Sequence, residues 1–101
     1  MNLTLQQLRT FERIVRLGSF RSAASHLGLT QPGVSQRIRE LESALGTELF
    51  LRRGPRLSLT AEGHALIDYA DRVLDTTGEI VERFRSRDRR HHFSAGCGSR
   101  I

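Results

Sequence analysis

The sequence predicts a mainly α fold, a winged helix-turn-helix of three helices plus a small two-stranded wing, followed by one long linker helix. Three observations carry this expectation. Apolar residues recur at helical spacing over three stretches, each of which stops at a glycine: Gly18, Gly28 and Gly46. The second and third stretches are joined by a short connection containing Gly28, as in a helix-turn-helix. Two short apolar runs then flank Gly54-Pro55, and beyond them a long stretch again shows helical periodicity.

The first helix is expected over residues 5–17. Thr4 and Gln7 have the spacing of a capping box, in which the hydroxyl accepts from the third amide and the glutamine reaches back. Leu5, Leu8, Phe11, Ile14 and Val15 share one face. Ser19 caps a short helix over residues 20–27, with Phe20, Ala23, Ala24 and Leu27 on its inner side. The small pair Ala23-Ala24 lets another helix approach closely, Gly28 supplies the positive φ of a tight turn, and Leu29 plugs the corner. Thr30 caps a third helix over residues 30–45, with Pro32 in the first turn, where proline is tolerated. Val34, Ile38, Leu41 and Leu45 form its apolar stripe.

The segment from Leu49 to Leu59 reads as a hairpin, or wing, with basic residues near its tip. Thr60 caps a last helix over residues 60–87, with Glu62 favourably placed in its first turn. Leu66, Ala70, Val73, Thr77, Ile80 and Phe84 step by four and three, and Ile67, Leu74 and Val81 make a second column. Such a helix is roughly 40 Å long. Residues 88–101 run from Arg89-Arg90-His91-His92 to Gly96-Cys97-Gly98-Ser99 and are expected to be a flexible tail. The chain thus divides into a winged helix-turn-helix at 1–59, a linker helix at 60–87 and a tail at 88–101.

A chain of 101 residues is about one domain and can bury a core without staples. There is no run of about 18 apolar residues to span a membrane. Residues 1–8 lack the pattern of a signal peptide, and the single Cys97 has no internal disulfide partner. A cytoplasmic location is therefore expected. Net charge is +5, and all 16 basic residues are arginine. Arginine suits bidentate contacts to phosphate and to guanine edges, although a compositional bias of the coding DNA gives the same usage. Placement says more than the total. Residues 1–60 hold nine arginines against Glu12, Glu40, Glu42 and Glu48, whereas residues 61–101 hold seven arginines against seven acids. A basic first part beside a neutral second part suggests that one meets a polyanion while the other does something else.

On the third helix, at about 100° per residue, Gln36 falls almost opposite the apolar stripe. Pro32, Gly33 and Arg39 share the outer half, and Ser35 and Arg37 lie on the two flanks. The outer face near the N-terminus is small or amide-bearing. That suits insertion into a major groove, where Gln reads adenine and Ser bonds a base or phosphate; the helix N-terminus can also receive a phosphate. A solvated surface helix has the same polarity. Arg52, Arg53 and Arg56 cluster around Gly54-Pro55, where they can straddle phosphates or enter a narrow minor groove, or simply be solvated. The candidate DNA-contacting residues are therefore Thr30, Gln31, Pro32, Ser35, Gln36, Arg37 and Arg39, with Arg52, Arg53 and Arg56 at the wing. The long helix exceeds what a three-helix domain can cover, which points to pairing with a second copy through the nine stripe residues. The bland alternative is that the stripe packs wholly on its own domain.

Metal, cofactor and catalytic readings find little support. His91, His92 and Cys97 lack a fourth ligand and a rigid frame, His26 and His64 read as partly exposed helix residues, and no phosphate loop or Ser/His/acid constellation can be placed. Neither an enzyme nor a bound cofactor is expected.

Together these residues resemble the N-terminal domain of LysR-type transcriptional regulators. The likeness lies in Leu8-Arg9-Thr10-Phe11, Gly18-Ser19-Phe20 with Ala23-Ala24, and the run Leu29-Thr30-Gln31-Pro32-Gly33-Val34-Ser35-Gln36-Arg37-Ile38 with Leu41-Glu42. It continues in Leu45-Gly46-Thr47-Glu48-Leu49-Phe50, Arg52-Arg53 and Leu59-Thr60-Ala61-Glu62-Gly63. The resemblance covers residues 3–87. It implies a linker helix that pairs antiparallel in a dimer, and binding to interrupted palindromic, AT-containing promoter sites in double-stranded DNA. It also implies, by position, that Gln31, Pro32, Ser35 and Gln36 approach the groove, that Arg37 lies beside them, and that Arg53 and Arg56 serve the wing. Many members carry arginine where this chain has Gln36, so the resemblance does not imply its base preference. Members normally continue into an effector-binding domain, whose first strand the segment Phe93 to Ser99 resembles at its start. A small-molecule effector, and an assembly larger than a dimer, are implied only for a form carrying that domain.

Three functions compete: a dimeric sequence-specific DNA binder, a module that uses the same surfaces to dock proteins, and a small enzyme. The basic first part favours the first, and the missing catalytic constellation disfavours the third.

Overall fold

The structure, a computed structural model, describes residues 3–51 and 56–93, with side chains described as far as residue 85. Its elements are α1 (Leu5–Leu17), α2 (Phe20–Leu27), α3 (Gln31–Leu45), β1 (Phe50–Leu51), β2 (Ser58–Leu59) and α4 (Ala61–Phe93). The winged helix-turn-helix expected from the sequence is present.

Local chemistry sets each start and stop. At α1 the capping box forms in both directions: Gln7 N donates to Thr4 Oγ1 at 3.1 Å, and Thr4 N donates to Gln7 Oε1 at 3.0 Å. Ser19 Oγ accepts from Ser22 N at the start of α2, and Thr30 Oγ1 accepts from Gly33 N at the start of α3. The turn between these helices depends on Gly28, whose φ of 71° is left-handed and would strain a residue with a Cβ. There Leu29 N donates back to Ala24 O at 2.9 Å, closing the end of α2, and the Leu29 side chain packs against the core.

α1, α2 and α3 pack mutually around Phe11, Ile14, Ala23, Val34, Ile38 and Leu41, all fully buried. Thr10 is buried among them without an unmet polar group, because its hydroxyl donates to Gln6 O at 2.8 Å. β1 and β2 pair antiparallel, Phe50 opposite Leu59 and Leu51 opposite Ser58. Two strands this short are not stable alone, so the wing depends on its anchor. Phe50 is buried, with the rings of Phe11 and Phe20 each 5.4 Å away in tilted and edge-on arrangements. Glu42 on α3 fixes the approach to β1 by accepting from Leu49 N at 2.8 Å.

α4 is joined to the wing at its first turn. Thr60 Oγ1 accepts from Gly63 N at 3.0 Å, donates to Glu48 O at 2.7 Å, and Thr60 N donates to Leu49 O at 3.0 Å. Gly63 lies so close to the Leu49 carbonyl that a Cβ there would sit 2.2 Å from its oxygen. Farther along, Arg16 on α1 is ion-paired with Asp71 on α4 and lies 3.5 Å from Glu12. Glu12 is held below the ordinary carboxylate pKa, mainly by hydrogen bonding to Arg13 at 2.6 and 2.8 Å, against an opposing cost of partial burial.

Two expectations about the long helix need correction. It does not end near residue 87: helix continues to Phe93. Asp88, Arg89, Arg90, His91 and His92 include no glycine or proline, so nothing stops propagation there. The remaining tail, residues 94–101, lies outside the described residues. The apolar stripe also divides. Ala70 is fully buried in its own domain, and Leu66 and Ile67 pack on the same core, so the expected dimerisation role does not extend to Ala70, which has no surface left to offer. The reason is geometric: α1 packs against α4 and is ion-paired to it at Asp71. Farther along α4, Val73, Ile80, Val81 and Phe84 are 38–53% exposed. No helix among the described residues is long and apolar enough to cross a membrane.

Candidate nucleic-acid interface

The burial of α3 follows the angular reading of its sequence. Val34, Ile38 and Leu41 face inward with no exposure. Pro32, Gln36 and Arg39 are exposed on the opposite side, joined by Thr30 and Gln31 at the N-terminal end, while Ser35 and Arg37 are half-buried on the flanks. The structure thus brings seven of the candidate residues onto one surface, from the N-cap to the third turn of α3. The Thr30 hydroxyl is engaged in capping through Gly33 N, and Pro32 has no N–H. A phosphate at this helix end therefore has the Gln31 amide rather than a full set of donors.

Three side chains on the outer face are linked. Arg39 Nη2 donates to Gln36 Oε1 at 3.0 Å, and Gln36 Nε2 donates to Glu40 Oε2 at 3.2 Å. Sequence reasoning placed Gln36 and Arg39 here but missed Glu40. The signal available was spacing: residues three and four apart are neighbours on a helix surface.

Arg56 is exposed just before β2, on the wing. Arg52 and Arg53 lie outside the described residues. The wing itself is held against the helix-turn-helix by Phe50, so Arg56 and the outer face of α3 belong to one packed unit.

On α4 the exposed apolar residues Val73, Ile80, Val81 and Phe84 are accompanied by half-buried Leu74 and Thr77. The Thr77 hydroxyl donates to Val73 O at 2.8 Å, so this residue carries no unmet donor in an otherwise apolar strip. Among the described residues no three His, Cys, Asp or Glu side chains come together as metal ligands. Cys97 lies outside the described residues, and the side chains of His91 and His92 are not described. His26 and His64 are exposed.

A family model described as "Bacterial regulatory helix-turn-helix protein, lysR family" matches residues 5–64. The chain is similar to the HTH-type transcriptional regulator CfxR of Cupriavidus necator, with 46% identity over 80 residues, covering 79% of this chain and 24% of that protein. It spans about a quarter of the length of the curated relatives it matches. Among solved structures it resembles the DNA-binding domain of BenM in complex with catB site 1 DNA. The TM-score is 0.81 and the identity 32%, covering 85% of this chain and 97% of that one. It also resembles Vibrio fischeri DarR in complex with DNA, with a TM-score of 0.82 and 27% identity, covering 88% of this chain and 30% of that one.

Proposed function

Because the chain belongs to the lysR family of bacterial regulatory helix-turn-helix proteins, we propose that it binds double-stranded DNA sequence-specifically. In this reading it acts as a dimer on an interrupted palindromic, AT-containing promoter site. The observation that carries this is the outer face of α3, where Pro32, Gln36 and Arg39 are exposed opposite the fully buried Val34, Ile38 and Leu41, with Gln31 exposed at the N-terminal end of the helix. The solved BenM domain, whose fold this chain shares, was solved on DNA. α3 enters the major groove, with Thr30, Gln31 and Ser35 toward the backbone and adjacent bases and Gln36 toward a base edge. Arg37, Arg39 and the wing arginines Arg52, Arg53 and Arg56 meet phosphates or the adjoining minor groove.

The dimer forms through the exposed part of α4. Val73, Leu74, Thr77, Ile80, Val81 and Phe84 supply the seam, while Leu66, Ile67 and Ala70 hold α4 onto its own domain. This division also suits the charge split, in which the neutral part meets its copy and the basic part faces DNA. A role for any effector belongs to forms that carry a further domain.

Selection from a randomised duplex library, followed by a salt titration on the selected site, tests the reading. Gln36→Ala is expected to change the preferred base at one position per half-site, at a cost of about 1–3 kcal/mol at the favoured base. An unchanged preference at equal affinity would remove Gln36 from base contact. Replacing Arg53 and Arg56 by Ala is expected to weaken binding to all sequences and flatten the salt dependence by about one unit per lost phosphate contact, two at most. An unchanged slope would mean that the wing does not touch the backbone. The rival, a protein-docking module, predicts no salt-dependent duplex binding at all.

A further inference from the structure

We propose that Glu40 and Arg39 are specificity-determining residues that fix the orientation of the Gln36 side-chain amide, so that it presents one donor and one acceptor in a set order to the base edge. This rests on the reading of Gln36 as a base-contacting residue. An unrestrained glutamine amide rotates and can offer either end to a base. Here Gln36 Oε1 accepts from Arg39 Nη2 at 3.0 Å, and Gln36 Nε2 donates to Glu40 Oε2 at 3.2 Å.

A guanidinium only donates and an ionised carboxylate only accepts. Turning the amide over would set its NH2 against Arg39 and its oxygen against Glu40, placing donor against donor and acceptor against acceptor. The two neighbours therefore allow one orientation. Both ends keep spare capacity, since the NH2 has two donors and the carbonyl two lone pairs, with one of each engaged. What remains is an acceptor on the Arg39 side and a donor on the Glu40 side, on a helix face where all three residues are exposed.

The adenine edge in the major groove, with N7 accepting and N6 donating, complements that pair. Guanine offers two acceptors there, so one of them would oppose the Gln36 oxygen. A carboxylate on a DNA-facing helix repels phosphates and weakens binding to every sequence. Orientation of Gln36 gives Glu40 a function that offsets that loss.

The test compares the unmutated chain with Glu40→Ala, Glu40→Gln, Arg39→Met and Gln36→Ala, by selection from randomised duplexes and by titration of the selected site and its single-base variants. The unmutated chain should prefer adenine at one position per half-site by roughly 5- to 150-fold. Glu40→Ala should lose at least about threefold of that preference, at that position alone, while binding random duplex more tightly. Glu40→Gln should bind random duplex equally tightly but keep the preference, because its amide oxygen still accepts from Gln36 while Arg39 holds the other end. Arg39→Met should lose preference at the same position, together with some affinity for all sequences. Tighter binding by Glu40→Ala with an unchanged preference would overturn the proposal and leave Glu40 a mere phosphate repellent. Loss of preference in Glu40→Gln equal to that in Glu40→Ala would overturn it too, since charge and not hydrogen bonding would then be acting. If Gln36→Ala also leaves the preference unchanged, Gln36 is not a base reader and both readings fall; if Gln36→Ala changes it and the Glu40 variants do not, only this one does.

Discussion

Val73→Asp combined with Ile80→Asp is expected to give a monomer that stays helical and binds its operator at least about a hundredfold more weakly, the loss that follows when two linked binding events become independent. Val73 is 38% and Ile80 53% exposed in the single chain, and with Val81 and Phe84 they make an apolar strip on α4 that its own domain does not cover. Burying side chains of this size from half-exposed positions contributes on the order of 1 kcal/mol each, repeated on both copies of a symmetric pair. Aspartates in that strip would have to be buried as charges without partners, which costs more than the lost apolar contact. Folding should be little affected, because neither residue belongs to the buried core. Sedimentation of the unmutated chain at micromolar concentration is the direct check: a clean monomer near 11.4 kDa would rule out the dimer. If the double variant were monomeric with undiminished operator affinity, the dimer would stand but would play no part in DNA binding.

The second large effect concerns one substitution made at two glycines of the same helix. Gly63→Ala should destabilise the domain, whereas Gly78→Ala should stabilise it. An added methyl gains about 1 kcal/mol of helix propensity at either place. At Gly78 nothing lies within 4 Å of the new Cβ, so the gain stands. At Gly63 the Cβ would meet Leu49 O at 2.2 Å and Leu59 Cδ2 at 2.9 Å. Backbone cannot swing aside as a side-chain tip can, so the first turn of α4 must lift from the wing. Overpacking of this kind costs about 1–3 kcal/mol or more, and the Thr60 bonds to Glu48 and Leu49 would be strained with it. At about 4–8 °C per kcal/mol for a domain of this size, the two variants should melt on opposite sides of the unmutated chain at matched concentration. Equal shifts at both sites would mean that the close approach at Gly63 is absent.

The helices were legible because their signals are local. Thr4 with Gln7, Ser19 and Thr30 cap the helices they precede, and Gly28 closes α2. These interactions span three to five residues and need no knowledge of the rest of the chain. The outer face of α3 was legible for a related reason: once Val34, Ile38 and Leu41 are assigned inward, helical geometry assigns Pro32, Gln36 and Arg39 outward. The hydrogen bonds within that face were not legible. Spacing makes Gln36, Arg39 and Glu40 neighbours, but which side-chain ends meet depends on the rotamers they adopt.

By itself, then, the sequence determined the element types, their order, their caps and the solvent face of α3, together with membership of a family recognised by ordered short motifs. The tertiary structure decided what lies between elements distant in the chain. It showed that Phe50 anchors the wing between Phe11 and Phe20, that Gly63 lies against Leu49, and that Arg16 reaches Asp71. It also decided where the apolar stripe of α4 changes from core to surface, between buried Ala70 and exposed Val73. Helical periodicity reports that a side of a helix is apolar, but the burial of any one residue depends on what packs against it.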